Sequence, residues 1–139
     1  MKQTLLIITA LMLIVGCSES DAQQKVITVT ETYKDGDVSK ISYHKITGNK
    51  IELVKEIKWY ENGQKREEGT FKDGKEDGLW TLWHDNGQKK GEGTFKNGKQ
   101  DAIWTWWYDN GQKKGERTFK DGSGEPIEST SWDKYGNKK

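Results

Sequence analysis

"WHDNGQKKGEGTFKNGKQDAIWTW", residues 83–106, decides the fold because close copies of it lie on either side. Residues 59–82 read WYENGQKREEGTFKDGKEDGLWTL and residues 107–130 read WYDNGQKKGERTFKDGSGEPIEST, and both align to it without a gap. The first two windows agree at 15 of 24 positions and the last two at 14, which marks a repeat architecture. A fourth copy opens at Trp132 as WDKYGNKK. Upstream, Thr32-Tyr33-Lys34-Asp35-Gly36 echoes Thr70-Phe71-Lys72-Asp73-Gly74 and suggests a worn half-repeat.

Each window holds two turn signals. Asn-Gly recurs at 62–63, 86–87 and 110–111, and Asp-Gly or Asn-Gly at 73–74, 97–98 and 121–122. Two-residue loops of this kind take positive φ at both positions and join antiparallel strands. The segments between them are rich in Thr and aromatic residues, which suit a pleated surface. The expected fold is therefore all-β: one antiparallel β-meander of 24-residue repeats, two strands per repeat. Each repeat advances the sheet by ~9.5 Å at ordinary strand spacing.

Treating every turn as a two-residue loop sets a register. It places Leu82 opposite Gly91, Trp80 opposite Gly93, Trp106 opposite Gly115, Trp104 opposite Gly91 and Ala102 opposite Gly93. Tyr108 falls opposite Lys113, Trp83 opposite Lys90 and Trp107 opposite Lys114. Alternation then puts Trp80, Leu82, Phe95, Trp104, Trp106, Tyr108 and Phe119 on one face, interleaved with Gly91, Gly93 and Gly115. Indole rings can lie flat on such bare backbone, so the sheet buries aromatic area against itself with few aliphatic residues. The other face carries Thr, Lys and Glu with Leu79, Ile103, Trp83 and Trp107, and lysine stems are expected to cover the two tryptophans. A bulge in the Lys-Asp-Gly-Lys-Glu-Asp-Gly segment would exchange the faces beyond it.

The first residues tell of location. Lys2 precedes an apolar run from Leu5 to Val15 broken only by Thr9, then Gly16 and Cys17. The run is shorter than the ~20 residues of a spanning helix and reads as an export signal. All the aromatic residues lie beyond it, and there 22 basic residues balance 22 acidic ones. A neutral, mixed surface gives no reason to expect nucleic acid as a partner. Four segments follow: a signal at 1–17, a polar tether at 18–25, a degenerate β-repeat at 26–58 and the repeat sheet at 59–139.

Gly16-Cys17 after an aliphatic stretch resembles the lipobox of bacterial lipoproteins. That resemblance implies acylation of Cys17 and anchoring to a membrane of the cell envelope. Ser18 in the next place implies the outer membrane. The run Trp-x-x-x-Asn-Gly-Gln-Lys-x-x-Glu-Gly-x-Phe, with its second Asp-Gly and closing Trp, resembles the variant MORN repeat over about residues 55–122. In particular it is similar to the YwqK family, labelled antitoxin components of toxin–antitoxin systems. The copies depart from the pattern at Ala102, where Gly78 stands, at Arg117, where Gly69 and Gly93 stand, and at Pro126 with Glu128 in place of Gly and Trp, so the third copy looks like a degenerate end cap.

The repeated carboxylates Glu68, Glu92 and Glu116 offer three like environments, whereas acid–base chemistry needs two unlike ones. A calcium ladder on Glu92 and Glu116 is opposed by the Lys and Thr around them. His44 and His84 lack companion ligands, and His84 stands where Tyr60 and Tyr108 stand, beside a turn. No cofactor, metal or catalytic residue is expected. The candidate binding surface is Trp83, Trp106, Trp107 and Tyr108. Its expected occupant is a protein, a toxin if the antitoxin resemblance extends to function. The alternative is a glycan-binding (cell-wall glycan) or surface-structural lipoprotein using its aromatic face.

Overall fold

The computed structural model describes residues 9–10, 25–120 and 123–139. Cys17, most of the signal segment, the tether residues 18–24 and the expected turn at 121–122 lie outside the described residues. One antiparallel sheet runs in chain order through β1 (Thr9–Ala10), β2 (Lys25–Thr32), β3 (Val38–Thr47), β4 (Lys50–Trp59) and β5 (Lys65–Lys72). It continues through β6 (Lys75–Trp83), β7 (Lys89–Lys96), β8 (Lys99–Trp107), β9 (Lys113–Phe119) and β10 (Pro126–Ser131). No helix occurs among the described residues, and the meander expected from the repeats is the fold.

The two edges of the sheet turn differently. At Asp73-Gly74 and Asn97-Gly98, φ is positive at both residues (50° and 75°, 53° and 81°), and Lys72 pairs with Lys75 and Lys96 with Lys99. These are the two-residue loops the sequence predicts. The Asn-Gly pairs at 62–63, 86–87 and 110–111 are not. There only the glycine has positive φ (79°, 84° and 83°). Gly63 N–H donates to the Tyr60 carbonyl at 3.0 Å and Tyr60 N–H to the Gln64 carbonyl at 2.8 Å, which makes a three-residue loop with a glycine bulge. The asparagine stays right-handed because its side chain is used elsewhere: Asn62 Oδ1 accepts from Gln64 N–H at 3.0 Å. Residues 33–37 and 133–137 close by the same pair of backbone bonds. Asp35-Gly36 therefore corresponds to the Asn-Gly edge, and its likeness to Asp73-Gly74 pointed to the wrong side of the sheet.

These loops alter the local register. Trp83 pairs with Lys89 and Trp107 with Lys113, not with Lys90 and Lys114, and Tyr108 closes its loop opposite Gln112 rather than Lys113. One step inward a bulge restores the expected pairing, so Leu82 faces Gly91, Trp80 faces Gly93 and Trp106 faces Gly115. A second irregularity sits near the other edge. Gly91 pairs with Trp106 rather than Trp104, and the pairing slips by two residues between Glu92 and Thr94, opposite the stretch holding Ala102. Ala102 takes φ 54° there, as Gly78 takes 98° in the preceding repeat. A left-handed residue lets the strand absorb the excess, at a cost of about 1–2 kcal/mol where it carries a Cβ. Because the slip is even, it leaves the faces unexchanged.

The aromatic face is consequently as read from the sequence except for Tyr108, which flanks its loop. Trp80 (9% exposed), Trp104 (2%) and Phe119 (4%) are buried, with Phe71, Leu82, Phe95 and Trp106 packed on them. Phe71, Trp80, Phe95 and Trp104 meet edge to face with centroids 5.4, 5.6 and 4.9 Å apart, and Trp104 stacks on Trp106. Each buried indole leans on the strand before its own. A Cβ at Gly69 would lie 2.1 Å from the Trp80 ring, and one at Gly93 lies 2.3 Å from the Trp104 ring. The indole N–H groups donate to the Thr70 and Thr94 carbonyls at 3.2 and 2.8 Å. Gly115 does not serve this way, since its nearest neighbour is the Thr130 carbonyl and no ring covers it.

Candidate functional site

The open face, opposite the aromatic one, is built from three lanes crossing the strands. Along one edge run the half-buried Trp83 and Trp107, then Trp132. Lysines cover them, but from the neighbouring hairpin: Lys65 Nζ stands 5.2 Å from the Trp83 ring, Lys89 5.8 Å from Trp107 and Lys113 5.3 Å from Trp132. The same ammonium groups bond Glu68 (2.7 Å), Glu92 (2.6 Å) and Glu116 (2.9 Å) in the middle lane. In a regular strand, residues three apart point to opposite faces. The bulge beside each loop brings them to one side, and the sequence alone does not show it.

Charge on this face is internally neutralised. Lys55 adds a second ion pair to Glu68, and hydrogen bonds from Lys55 and Lys65 outweigh burial to hold the Glu68 carboxyl below the usual glutamate range. Thr81 Oγ1 donates to Glu92 at 3.3 Å. On the adjacent strand Lys58 faces the side that carries Leu82; burial would lower its pKa, but its bonds to Glu56 and Glu67 prevail and raise it. Among the described residues no group of three or more His, Cys, Asp or Glu could hold a metal ion. The carboxylate ladder is thus tied to lysines.

The third lane is apolar and was not singled out as a site from the sequence. Leu79 is 60% exposed, Ile103 54% and Ile127 60%, at repeat spacing. Leu79 pairs with Thr94 and Ile103 with Thr118, so methyl-bearing side chains alternate along the lane. A shallow hollow of about 390 Å³ opens between the lanes, lined by Lys55, Glu68, Thr70, Leu79, Trp83 and Glu92. The signal was present in the sequence as one aliphatic residue at the same place in each window.

The expected surface of Trp83, Trp106, Trp107 and Tyr108 does not lie on one side. Trp83 and Trp107 share the open face with Glu92, whereas Trp106 stacks on Trp104 in the aromatic face, with the Arg117 guanidinium 5.6 Å from its ring. Tyr108 is at the loop edge, beneath Lys114 at 5.5 Å, and its hydroxyl donates to the Trp132 carbonyl at 3.0 Å. Tyr33 and Tyr60 do the same to Trp59 and Trp83, and His84 Nε2 donates to the Trp107 carbonyl at 3.0 Å. His84 is a turn-flanking ring, in the role of the tyrosines it replaces. Beside it, Asn62, Asn86 and Asn110 each reach the next loop, donating Nδ2–H to the carbonyls of Asp85, Asp109 and Lys134 at 2.7, 2.7 and 3.0 Å.

A hairpin clipped to its successor by an aromatic ring and an asparagine is the structural unit. The MORN repeat variant matches residues 54–73, 76–97 and 100–121. The chain carries three MORN repeats. Each MORN match spans one strand, one Asn-Gly loop and the next strand, and the matches meet at the two-residue turns. The 24-residue windows counted from each Trp are offset from these MORN units by about a quarter of a repeat. No curated protein and no solved structure matches the chain.

Proposed function

We propose that the chain is a non-enzymatic interaction module held at an envelope membrane through acylated Cys17, with its MORN sheet presenting the open face to a protein partner. The observation that carries this reading is the exposed lane of Leu79, Ile103 and Ile127, opposite the self-packed aromatic face. A row of large apolar side chains left to solvent at regular spacing is what a partner covers. The test is crosslinking and pull-down from envelope fractions, comparing the full chain with Ile103→Glu and, as a control, Lys72→Glu at an exposed turn flank. A partner captured by the control and the parent but not by Ile103→Glu supports the reading; equal capture by all three defeats it.

The finer form of the proposal is an immunity protein whose partner is an exported toxin, supported by the resemblance to YwqK-type chains. Deleting the chain should then sensitise cells to the product of a neighbouring gene. Glycan stacking is the second reading, favoured by the half-exposed state of Trp83 and Trp107 on the open face. Lys65 and Lys89 already occupy positions over those rings, which weakens it. Wall fragments that quench tryptophan fluorescence in the parent but not in Trp107→Ala would support the glycan.

A further inference from the structure

Four Asn-Gly dipeptides lie among the described residues, at 62–63, 86–87, 97–98 and 110–111. In such a pair the glycine backbone nitrogen can attack the asparagine side-chain carbon, because no side chain on the glycine shields it. With the same following residue, the four differ only in how the fold holds them.

Three are locked. Asn86 donates Nδ2–H to the Asp109 carbonyl at 2.7 Å, its Oδ1 accepts from Gln88 N–H at 3.0 Å, and Gly87 N–H is held by the His84 carbonyl at 3.0 Å. Asn62 and Asn110 repeat the arrangement. For any of these to react, the amide must leave two bonds and the nitrogen a third. Asn97 is different. Its backbone N–H is tied to Asp77 Oδ2 at 3.2 Å and Gly98 N–H to the Glu76 carbonyl at 2.8 Å, but its exposed side chain has no hydrogen bond among the described residues. It sits in a two-residue turn at the sheet edge, where fraying releases the glycine nitrogen by breaking one bond.

We infer that Asn97 is a self-modification site, the one Asn-Gly pair here that deamidates while the sheet stays folded. The Gly98 nitrogen, losing its proton to base, bonds to the Asn97 Cγ; the Cγ–Nδ2 bond breaks and ammonia leaves with that proton. Water then opens the cyclic imide at either carbonyl, leaving aspartate or isoaspartate. Either product places a new carboxylate in the turn whose backbone Asp77 already holds. Isoaspartate also lengthens the backbone by one methylene inside a two-residue turn, so the tie from Gly98 to Glu76 is lost. At Asn62, Asn86 or Asn110 the same chemistry would replace a donor with an anionic oxygen facing a carbonyl, and the clips prevent it.

The full folded chain is incubated in mildly alkaline buffer, with a second sample in concentrated urea, and both are mapped by peptide mass for the one-dalton gain. In urea all four pairs should convert alike. In the folded chain the gain should be confined to the peptide holding Asn97, the others being about thirtyfold slower from two further hydrogen bonds of ordinary worth. Asn97→Asp should abolish the gain while the chain still unfolds cooperatively in urea, since Asp73 shows that this turn position holds aspartate at positive φ. Conversion of Asn62, Asn86 or Asn110 in the folded chain as fast as Asn97 overturns the inference. So does an unchanged Asn97 once the urea sample has converted.

Discussion

At the scale of single residues, Gly93 and Gly115 separate backbone freedom from ring contact. Neither is among the positive-φ glycines, so conformation alone permits a side chain at both. Gly93 lies under the Trp104 ring, whereas Gly115 has only the Thr130 carbonyl, 3.5 Å from where a Cβ would stand. Gly93→Ala should therefore destabilise by about 2–3 kcal/mol through forced overpacking, and Gly115→Ala by much less, read from urea midpoints. Glu68 offers a test in pH. Its folded value is lowered by Lys55 and Lys65, so the unfolded chain binds the proton more readily and the stabilisation is present above the ordinary glutamate value. It is lost as pH falls through the lowered value. Glu68→Gln should cost under about 1 kcal/mol near neutrality, and the difference from the parent should vanish in acid, as unfolding measured across that range will show.

At the scale of the element, the hairpin is held at one edge by its loop. The three-residue Asn-Gly loop uses asparagine as a connector: one end of its amide shapes its own turn and the other fastens the next loop. Gln64 adds to this, its Oε1 lying 2.8 Å from where a Cβ on Gly87 would be, and Gln88 stands likewise over Gly111. Asn86→Ala removes both bonds at an exposed site and should lower stability by about 1–2 kcal/mol. Hydrogen exchange at the flanking loops 60–64 and 108–112 discriminates further. Only the loop at 108–112, which Asn86 fastens, should exchange faster.

At the scale of the whole molecule, the sheet stops stacking aromatics where two positions change together. Glu128 stands where Trp80 and Trp104 do, and Arg117 where Gly69 and Gly93 do. With no ring arriving from β10, the bare glycine is unnecessary, and the arginine spreads over Trp106 instead. The slip between Pro126 and Glu128 sets Ser129, not Glu128, opposite Arg117, as Trp80 stands opposite Gly69. Arg117→Gly with Ser129→Trp should therefore add about 1 kcal/mol or more of aromatic packing, while either change alone should be neutral or destabilising. A double-mutant cycle by thermal melting measures that coupling. Failure of the two to couple would mean that β10 cannot present a ring as β6 and β8 do.

How much of this was legible depends on the range of the interaction. The all-β meander, the two-residue turns at 73–74 and 97–98 and the grouping of Trp80, Trp104 and Phe119 on one face follow from turn chemistry and two-residue alternation, both local properties of the chain. The exposed lane of Leu79, Ile103 and Ile127 was equally present in the windows. The lysine partners of Trp83 and Trp107 were not, nor the loop clips, nor the even slip opposite Ala102. Those contacts join residues about one repeat apart, and they form only when hairpins stack and a bulge decides which of two adjacent lysines faces the next ring. Local alternation set the faces; only the assembled sheet could choose the neighbours across them.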